Sequence, residues 1–232
     1  KVDIDNEISA QSPAFFFLDI QKSQLKDFEE KIILSGQVSK MSSAPMLRGV
    51  ITRINNIPAL EFAGDHWALR GDRGLTYADT PPKNNTIISG KWWRKNYSGD
   101  PEISFSSTEA LEMGLSLGDR ITVNLLGRDI TGTITSLRNV NFASMQINFL
   151  MIFNSSSLQL APHTHIATIY ADELAEKSLL RLISENFPNV TAIPTREALK
   201  QVSDTLATIA SITRWSSVIT IFIGFVVLIG VA

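Results

Sequence analysis

The pattern of hydrophobic residues predicts the same order of elements, strand–helix–strand, near the two ends of the chain. The apolar run Ala14–Ile20 has the length and aromatic content of a strand, helically spaced apolar residues follow across Lys22–Leu34, and the sequence LRGVITRIN around Val50 predicts another strand. More than 100 residues later, His165–Ala171 predicts a strand, Asp172 is placed to cap a helix, and NVTAI predicts a further strand. Two βαβ units separated in this way indicate a split ferredoxin-like layer with another module inserted between its halves.

The stretch between these two units has a different, β-rich pattern. Ser106–Gly114 carries the residues of a capping box and a glycine stop, which predict a short helix. Apolar residues alternate on both sides of Gly127–Asp129, which predicts a hairpin that turns there and has one buried face. Met145–Phe153 is nearly all apolar and predicts a strand, whereas the Gly, Pro, Trp and Asn content of residues 57–101 predicts long loops.

The last part of the chain predicts a helix that enters a membrane. Apolar residues recur every three or four positions over residues 199–212, and eleven of the 17 residues in Ser216–Ala232 are Val, Ile, Phe or Leu. At about 1.5 Å per residue this run reaches roughly 25 Å, short of a hydrocarbon core of about 30 Å, so we expect a truncated transmembrane helix with Arg214 and Trp215 at the membrane interface. The alternative is a buried helix of a globular domain, which usually keeps a polar stripe.

These patterns together predict an α+β chain. Split ferredoxin-like βαβ halves enclose an inserted β-rich subdomain, and a stalk helix then continues into a transmembrane helix. The predicted segments are residues 1–56 and 161–194 for the two ferredoxin-like halves, 57–160 for the insertion, 195–214 for the stalk helix and 215–232 for the truncated transmembrane helix.

Composition narrows the classes of function. The chain has 232 residues, 44% of them hydrophobic, and a formal net charge of −2, which argues against a nucleic-acid partner. It contains no cysteine, which excludes thiolate metal sites, cysteine nucleophiles and disulfides.

Sequence signatures of catalysis and of nucleotide binding are missing. The stretch SGKWW at Lys91 lacks both the glycine spacing and the Ser or Thr of a phosphate-binding loop, and neither G-x-S-x-G nor H-E-x-x-H occurs. His163 and His165 would face the same way on a strand and could hold a metal with His66, but surface imidazoles at the start of a strand are the favoured interpretation. We therefore expect no catalytic, metal or cofactor site in this chain.

Two groups of residues are candidate contacts for a ligand or a partner. The sequence RGDRG could form a turn that binds an anion or a carboxylate, although internal ion pairs are the favoured interpretation. Three tryptophans and a tyrosine could line an apolar cleft for a lipid-like ligand, with ordinary core packing as the alternative. The candidate residues are Trp67, Arg70, Asp72, Arg73, Tyr77, Trp92 and Trp93.

Over about residues 13–232 the chain resembles a known family. The resemblance is carried in order by SPAFFFLDIQ, APMLRGVITRIN, WALRGDRGLTY, the long stretch from GLSLGDRITVNLLGRD to MQINFLMIF, and APHTHIAT. The chain resembles the FtsX-like or MacB-type ABC transporter permeases, particularly their YbbP-like branch.

The resemblance implies a non-catalytic permease subunit of the bacterial inner membrane. Residues 1 to about 210 would be extracytoplasmic, with a porter-like α/β part and an inserted β-rich part. Movement driven by a separate cytoplasmic ATPase, which binds ATP and Mg²⁺, would reach the outer domain through the helices. The implied partners are that ATPase, the lipid bilayer, a periplasmic protein and a hydrophobic or lipid-like cargo.

Two alternatives from other classes stay open at this point. The chain could be a membrane-anchored extracytoplasmic binding or sensor module with a single span, in which case a signalling region or a stop would follow the span. An enzyme would instead show hydrolysis that is lost when one His or Ser is changed.

Overall fold

The computed structural model describes residues 12–195, which form an α+β fold. The strands are β1 Phe15–Gln21, β2 Val38–Ile54, β3 Ile57–Pro58, β4 Arg73–Tyr77, β5 Thr86–Gly90, β6 Glu102–Ser106, β7 Arg120–Leu125, β8 Arg128–Asn139, β9 Met151–Phe153, β10 Thr164–Ala171 and β11 Thr191–Pro194. The helices are α1 Leu25–Leu34, α2 Ala59–Ala63, α3 Ser107–Glu112, α4 Ser155–Leu158 and α5 Glu173–Asn186, and Trp67–Leu69 forms a short 3-10 helix.

The ferredoxin-like layer is built from both ends of the described chain. Its strand order is β11-β1-β10-β2, and each neighbouring pair is antiparallel. The units β1-α1-β2 and β10-α5-β11 therefore interleave, as the sequence pattern predicts for a split ferredoxin-like sheet. Apolar side chains of α1 and α5 bury one face of this sheet, and Phe17, Phe28 and Phe187 form two successive edge-to-face ring contacts with centroids 5.5 Å apart.

A single long strand connects this layer to the insertion. The first part of β2 pairs with β10, residues 47–49 pair with β4, and its last part pairs with β7. Gly49 is the last residue of β2 that pairs with β4, and a Cβ atom at this position would lie 2.6 Å from Cγ1 of Val123 and 2.9 Å from Cδ1 of Leu75. A residue without a side chain is therefore required where the pairing of β2 changes from β4 to β7.

The insertion is a strongly mixed sheet around a second apolar core. The order β4-β9-β6-β8-β5 continues from β2, while β7 pairs with both β2 and β8. Two of these pairings are parallel, β4 with β9 and β6 with β8. The core is filled by residues such as Leu75, Phe105, Ile121 and Phe153, all fully buried.

Three local predictions within the insertion are wrong. Residues 57–101 hold β3, α2, the 3-10 helix, β4 and β5 instead of long loops, because elements of two to five residues are too short to show a period. Only Met151–Phe153 of the predicted strand is extended, since Asn148 donates side-chain hydrogen bonds to Ser144 and to the Asn141 carbonyl and so holds the preceding residues in a loop. The β7–β8 turn lies at residues 126–127, both with left-handed φ, one step before the predicted position.

Several predictions fall outside the described residues. These are the stalk helix over 195–214 beyond its first residue, the transmembrane helix over 215–232, and the interface positions Arg214 and Trp215. Within residues 12–195, no helix is both long enough and apolar enough to cross a membrane. The predicted segment boundaries stay predictions.

Candidate functional site

A cleft of about 440 Å³ lies between the ferredoxin-like layer and the insertion. Its floor is the face of the sheet that α1 and α5 leave uncovered. Ser42 and Lys40 of β2 pair with Thr168 and Tyr170 of β10, and all four residues line the cleft. Because strand residues alternate between the two faces, the buried neighbours Ala167 and Ile169 point the other way, into the helix-covered core.

The opposite wall of the cleft comes from two loops of the insertion. Residues 78–85, here called the lip, follow β4 and contribute Pro81, Pro82 and Lys83. Residues 146–149 precede β9 and contribute Ile147 and Phe149. The cleft thus has a polar floor and a wall in which apolar side chains stand beside polar ones such as Lys83 and Asn84.

A buried arginine ties these two loops together. Arg138 of β8 is 0% exposed, and its guanidinium donates to the Asn85 side-chain oxygen at 2.6 Å and to the Phe149 carbonyl at 2.5 Å. Its Nε has no hydrogen-bond partner within the described residues. Burial lowers the pKa of Arg138 to about 9, opposed by the charge of Glu109. The side chain therefore stays protonated at neutral pH and acts as a buried clamp.

Two tryptophans fix the start of the lip. The indole N–H of Trp93 donates to the Ala78 carbonyl at 2.9 Å, and that of Trp92 donates to the Asp79 carbonyl at 3.1 Å. The Trp93 ring is buried against Phe149, beside the floor of the cleft. Both tryptophans line a separate groove, so of the predicted aromatic contacts only Tyr77 lines the cleft itself.

Tyr77 joins the cleft to a pair of histidines. Nδ1 of His163 lies 2.7 Å from the Ala161 carbonyl and must donate to it, so Nε2 accepts the Tyr77 hydroxyl hydrogen at 3.0 Å. Burial raises the pKa of Tyr77, which keeps its hydroxyl a donor. The His165 ring lies 5.2 Å from that of His163 and is buried, so the interpretation as a surface imidazole is wrong for His165, whereas His163 is half-buried just before β10.

His66 does not join the other two histidines. Its Nδ1 accepts the backbone N–H of Ala68 at 3.2 Å, so Nε2 carries the proton and donates to Glu112 at 2.8 Å. Within residues 12–195, no three His, Asp or Glu side chains lie close enough together to hold a metal ion.

The RGDRG sequence forms a surface cluster with partners outside the stretch. The guanidinium of Arg70 binds Asp65 at 2.7 Å, and Asp72 lies 3.3 Å from Arg48, so the expected internal ion pairs are wrong. Arg73 instead donates to three backbone carbonyls, and its guanidinium stacks 5.1 Å above the Trp67 ring. Arg73 lies close enough to the 3-10 helix to donate to the carbonyls of Trp67 and Ala68, at a helix end where carbonyls need donors from outside the helix.

The buried His165 predicts a pH dependence of stability. Burial, followed by the charges of His163 and Lys22, lowers the pKa of His165 to about 4, against about 6.5 in an unfolded chain. The stability that depends on an uncharged His165 is fully present above pH 6.5. It is lost as the pH falls from there towards 4, because the unfolded state then binds more protons than the folded state. We expect the free energy of unfolding to fall by about 1 to 2 kcal/mol, which is less than the full pKa shift would give because water near the end of the strand screens the charge.

Urea unfolding of wild type and His165→Phe between pH 7.5 and 4.5 measures this effect. The phenyl ring keeps the volume, and Nδ1 has no hydrogen-bond partner within residues 12–195 to be lost. The variant should match wild type at pH 7.5 and lose less stability on acidification. Parallel curves over the whole range would contradict the assignment.

One curated relative and two solved structures are among the proteins that are similar to this chain. No family model matches the sequence. Over 196 residues the chain is 26% identical to the uncharacterized ABC transporter permease YbbP of Escherichia coli (strain K12), and the match covers 84% of this chain but 23% of the relative. The chain therefore spans about a quarter of the length of that relative.

The two solved structures are only distantly similar. A domain of a permease protein from Porphyromonas gingivalis has a TM-score of 0.39 and 12% identity, covering 81% of this chain and 91% of that one. The extracellular domain of the noncanonic ABC-type transporter YknZ from Gram-positive bacteria has a TM-score of 0.36 and 14% identity, covering 78% of this chain and 100% of that one. These scores do not by themselves establish a common fold. The relative confirms the resemblance drawn from the motifs: most of this chain is similar in sequence to an ABC transporter permease of the YbbP type.

Proposed function

We propose that this chain is the extracytoplasmic domain of an ABC transporter permease of the bacterial inner membrane. A separate cytoplasmic ATPase, binding ATP and Mg²⁺, would supply the energy, and this chain would do no chemistry itself. The observation that carries the proposal is the 26% identity to a permease over 84% of the chain. The apolar run at Ser216–Ala232, preceded by the helical pattern of residues 199–212, supports an attachment to the membrane.

The described structure supports a mechanical role. Thr195 donates its backbone N–H to the Ala14 carbonyl at 3.1 Å, and its hydroxyl donates to the carbonyls of Pro13 and Ala14. The first and last described residues are therefore tied side by side at β1 and β11. A force applied to either chain end enters the ferredoxin-like sheet at one place, and β2 carries it into the insertion.

The cleft supports a hydrophobic or lipid-like cargo. Its apolar wall is formed by the lip and by Ile147 and Phe149, while its floor belongs to the sheet that receives the chain ends. A shift of one layer against the other would open or close the cleft. Residues 1 to about 210 would lie outside the cytoplasm, where a periplasmic protein could deliver or accept the cargo.

An insertion in the predicted stalk helix tests the mechanical coupling. We expect Gly-Gly-Ser inserted after Ala207 of the full-length permease to leave its assembly with the ATPase intact and to abolish transport, because a flexible break cannot transmit a displacement. The same insertion after Ser98, in an exposed loop, is the control and should keep transport. Undiminished transport with the break at Ala207 would refute the coupling.

A further inference from the structure

We propose that the cleft binds an anionic amphiphile, with the acid group held between Lys40 and Lys83 and the hydrocarbon chain lying against the apolar wall. This inference rests on the proposed function, since it names the chemical class of the cargo. It comes from the distribution of charge and apolar surface around the cleft.

The charged residues that line the cleft are both cationic. Lys40 extends from the floor and Lys83 from the lip, and no carboxylate is among the described residues lining it. The chain as a whole carries a formal charge of −2, so a cleft with two cations and no acid departs from the rest of the molecule. Such a cleft favours anions and repels cationic amphiphiles.

Within the part of the chain that the structure describes, neither lysine has an acidic partner. Within residues 12–195, no carboxylate lies within 4 Å of either ammonium group, whereas Lys26 and Lys31 on the opposite, helix-covered side pair with Glu30 and Asp27. Nζ of Lys40 lies 5.1 Å above the Tyr170 ring, which holds the ammonium at the edge of the floor. Both cations can therefore bind an anion without first breaking an ion pair.

The wall opposite the floor suits a hydrocarbon chain. Ile147, Phe149 and Ile152 line this side of the cleft, Ala44 and Pro45 of β2 add apolar surface, and the buried Trp93 belongs to the same apolar cluster as Phe149. The volume of about 440 Å³ lies in the range of small-molecule sites, about 300 to 1,000 Å³. Ser42 and Thr168, which also line the cleft, supply hydroxyl groups as neutral donors.

The ligand classes can be separated by calorimetry on the 232-residue chain in phosphatidylcholine nanodiscs. Octyl phosphate is the probe, with octyltrimethylammonium and octanol as matched cationic and neutral amphiphiles and with empty nanodiscs to subtract partitioning. We expect saturable binding of octyl phosphate at least about tenfold tighter than that of either analogue. Equal binding of octyltrimethylammonium, or of inorganic phosphate without a chain, would overturn the proposal.

Two double variants with the same change in net charge locate the site. Lys40→Gln with Lys83→Gln should weaken octyl phosphate binding about tenfold, while Lys26→Gln with Lys95→Gln, all exposed positions, should leave it within about twofold. Ser42→Trp should abolish the binding of the probe by filling the cleft from its floor. Equal losses in the two double variants, or full binding by Ser42→Trp with an unchanged unfolding midpoint, would contradict the site.

The binding assay contains neither ATP nor an ATPase, so its failure is distinct from failure of the proposed function. Absence of binding by a permease that still assembles with an active ATPase would reject only the ligand class. Binding of octyl phosphate by a protein that recruits no ATPase would reject the proposed transporter function and would leave the proposed ligand site standing.

Discussion

Replacing Arg138 by alanine lowers the free energy of unfolding by about 4 kcal/mol, the largest effect that we expect from a single substitution in the cleft region. The change leaves a void where a fully buried side chain lay, and it strips the Asn85 side-chain oxygen and the Phe149 carbonyl of their donors. Each buried acceptor left unpaired costs about 1 to 3 kcal/mol, and the void adds to that. Urea unfolding followed by tryptophan fluorescence measures the loss.

Two further substitutions separate the causes. Arg138→Met fills most of the volume without donors and also removes a costly buried charge, so its loss should be smaller, about 2 kcal/mol. Arg128→Ala, at the exposed start of the same strand, should change stability by less than about 0.5 kcal/mol. A loss in Arg138→Ala no larger than in Arg128→Ala would show that the guanidinium does not clamp the two loops.

The same clamp links stability to the cleft. Asn85 belongs to the lip and Phe149 to the opposite loop, so loss of Arg138 should separate them even in molecules that stay folded. Octyl phosphate binding should therefore fall in Arg138→Met at a temperature where the protein is fully folded.

Gly90→Ala should lower the free energy of unfolding by about 3 kcal/mol. Gly90 has φ of +79°, and a Cβ atom there would lie 2.2 Å from the Thr135 carbonyl oxygen and 2.9 Å from the Ser136 Cα. The clash is with backbone, so β5 must move away from β8. Because Trp92 and Trp93 lie two and three residues further along the chain, their fluorescence should shift to the red in the folded variant.

A second glycine of the same backbone class provides the control. Gly114 has φ of +70° and no heavy atom within 4 Å of the position a Cβ would take. Gly114→Ala therefore suffers only the backbone strain, about 1 to 2 kcal/mol, and should leave the fluorescence unchanged. Equal losses at the two positions would mean that the close approach of β5 to β8 is not what requires Gly90.

The ferredoxin-like layer was predictable because its signals are local. The strand at Ala14–Ile20, the helical spacing across Lys22–Leu34 and the N-cap position at Asp172 each depend on a few neighbouring residues. The observed strand order β11-β1-β10-β2 confirms the predicted ferredoxin-like layer. The strand pairing of the insertion was harder to predict. Its parallel pairings, β4 with β9 and β6 with β8, join residues far apart in sequence, and no local period specifies them.

The candidate site was predicted only at its edge. Tyr77 lines the cleft, whereas Trp92 and Trp93 bind lip carbonyls, and Trp67 stacks under Arg73 elsewhere. Composition identifies tryptophans as ligand candidates but does not say which carbonyl an indole N–H will meet. Whether any of the seven predicted residues contacts a ligand or a partner is not tested by the structure, so these contacts stay predictions.

One missed residue did leave a signal in the sequence. Ile134, Ser136 and Arg138 alternate on the same face of β8, and this face is buried. An arginine in phase with a buried face is unusual, because a buried charge needs hydrogen-bond partners. Lys40 and Lys83 gave no such signal, since the cleft exists only once the lip has folded over β2.

Purification of the full-length protein from its own membranes, together with the subunits that accompany it, tests the central claim most directly. An ATPase subunit should co-purify in detergent, and its ATP hydrolysis should depend on the presence of this permease. A protein that leaves the membrane fraction without detergent, or that carries no ATPase activity after native purification, would contradict an extracytoplasmic permease domain driven from across the membrane.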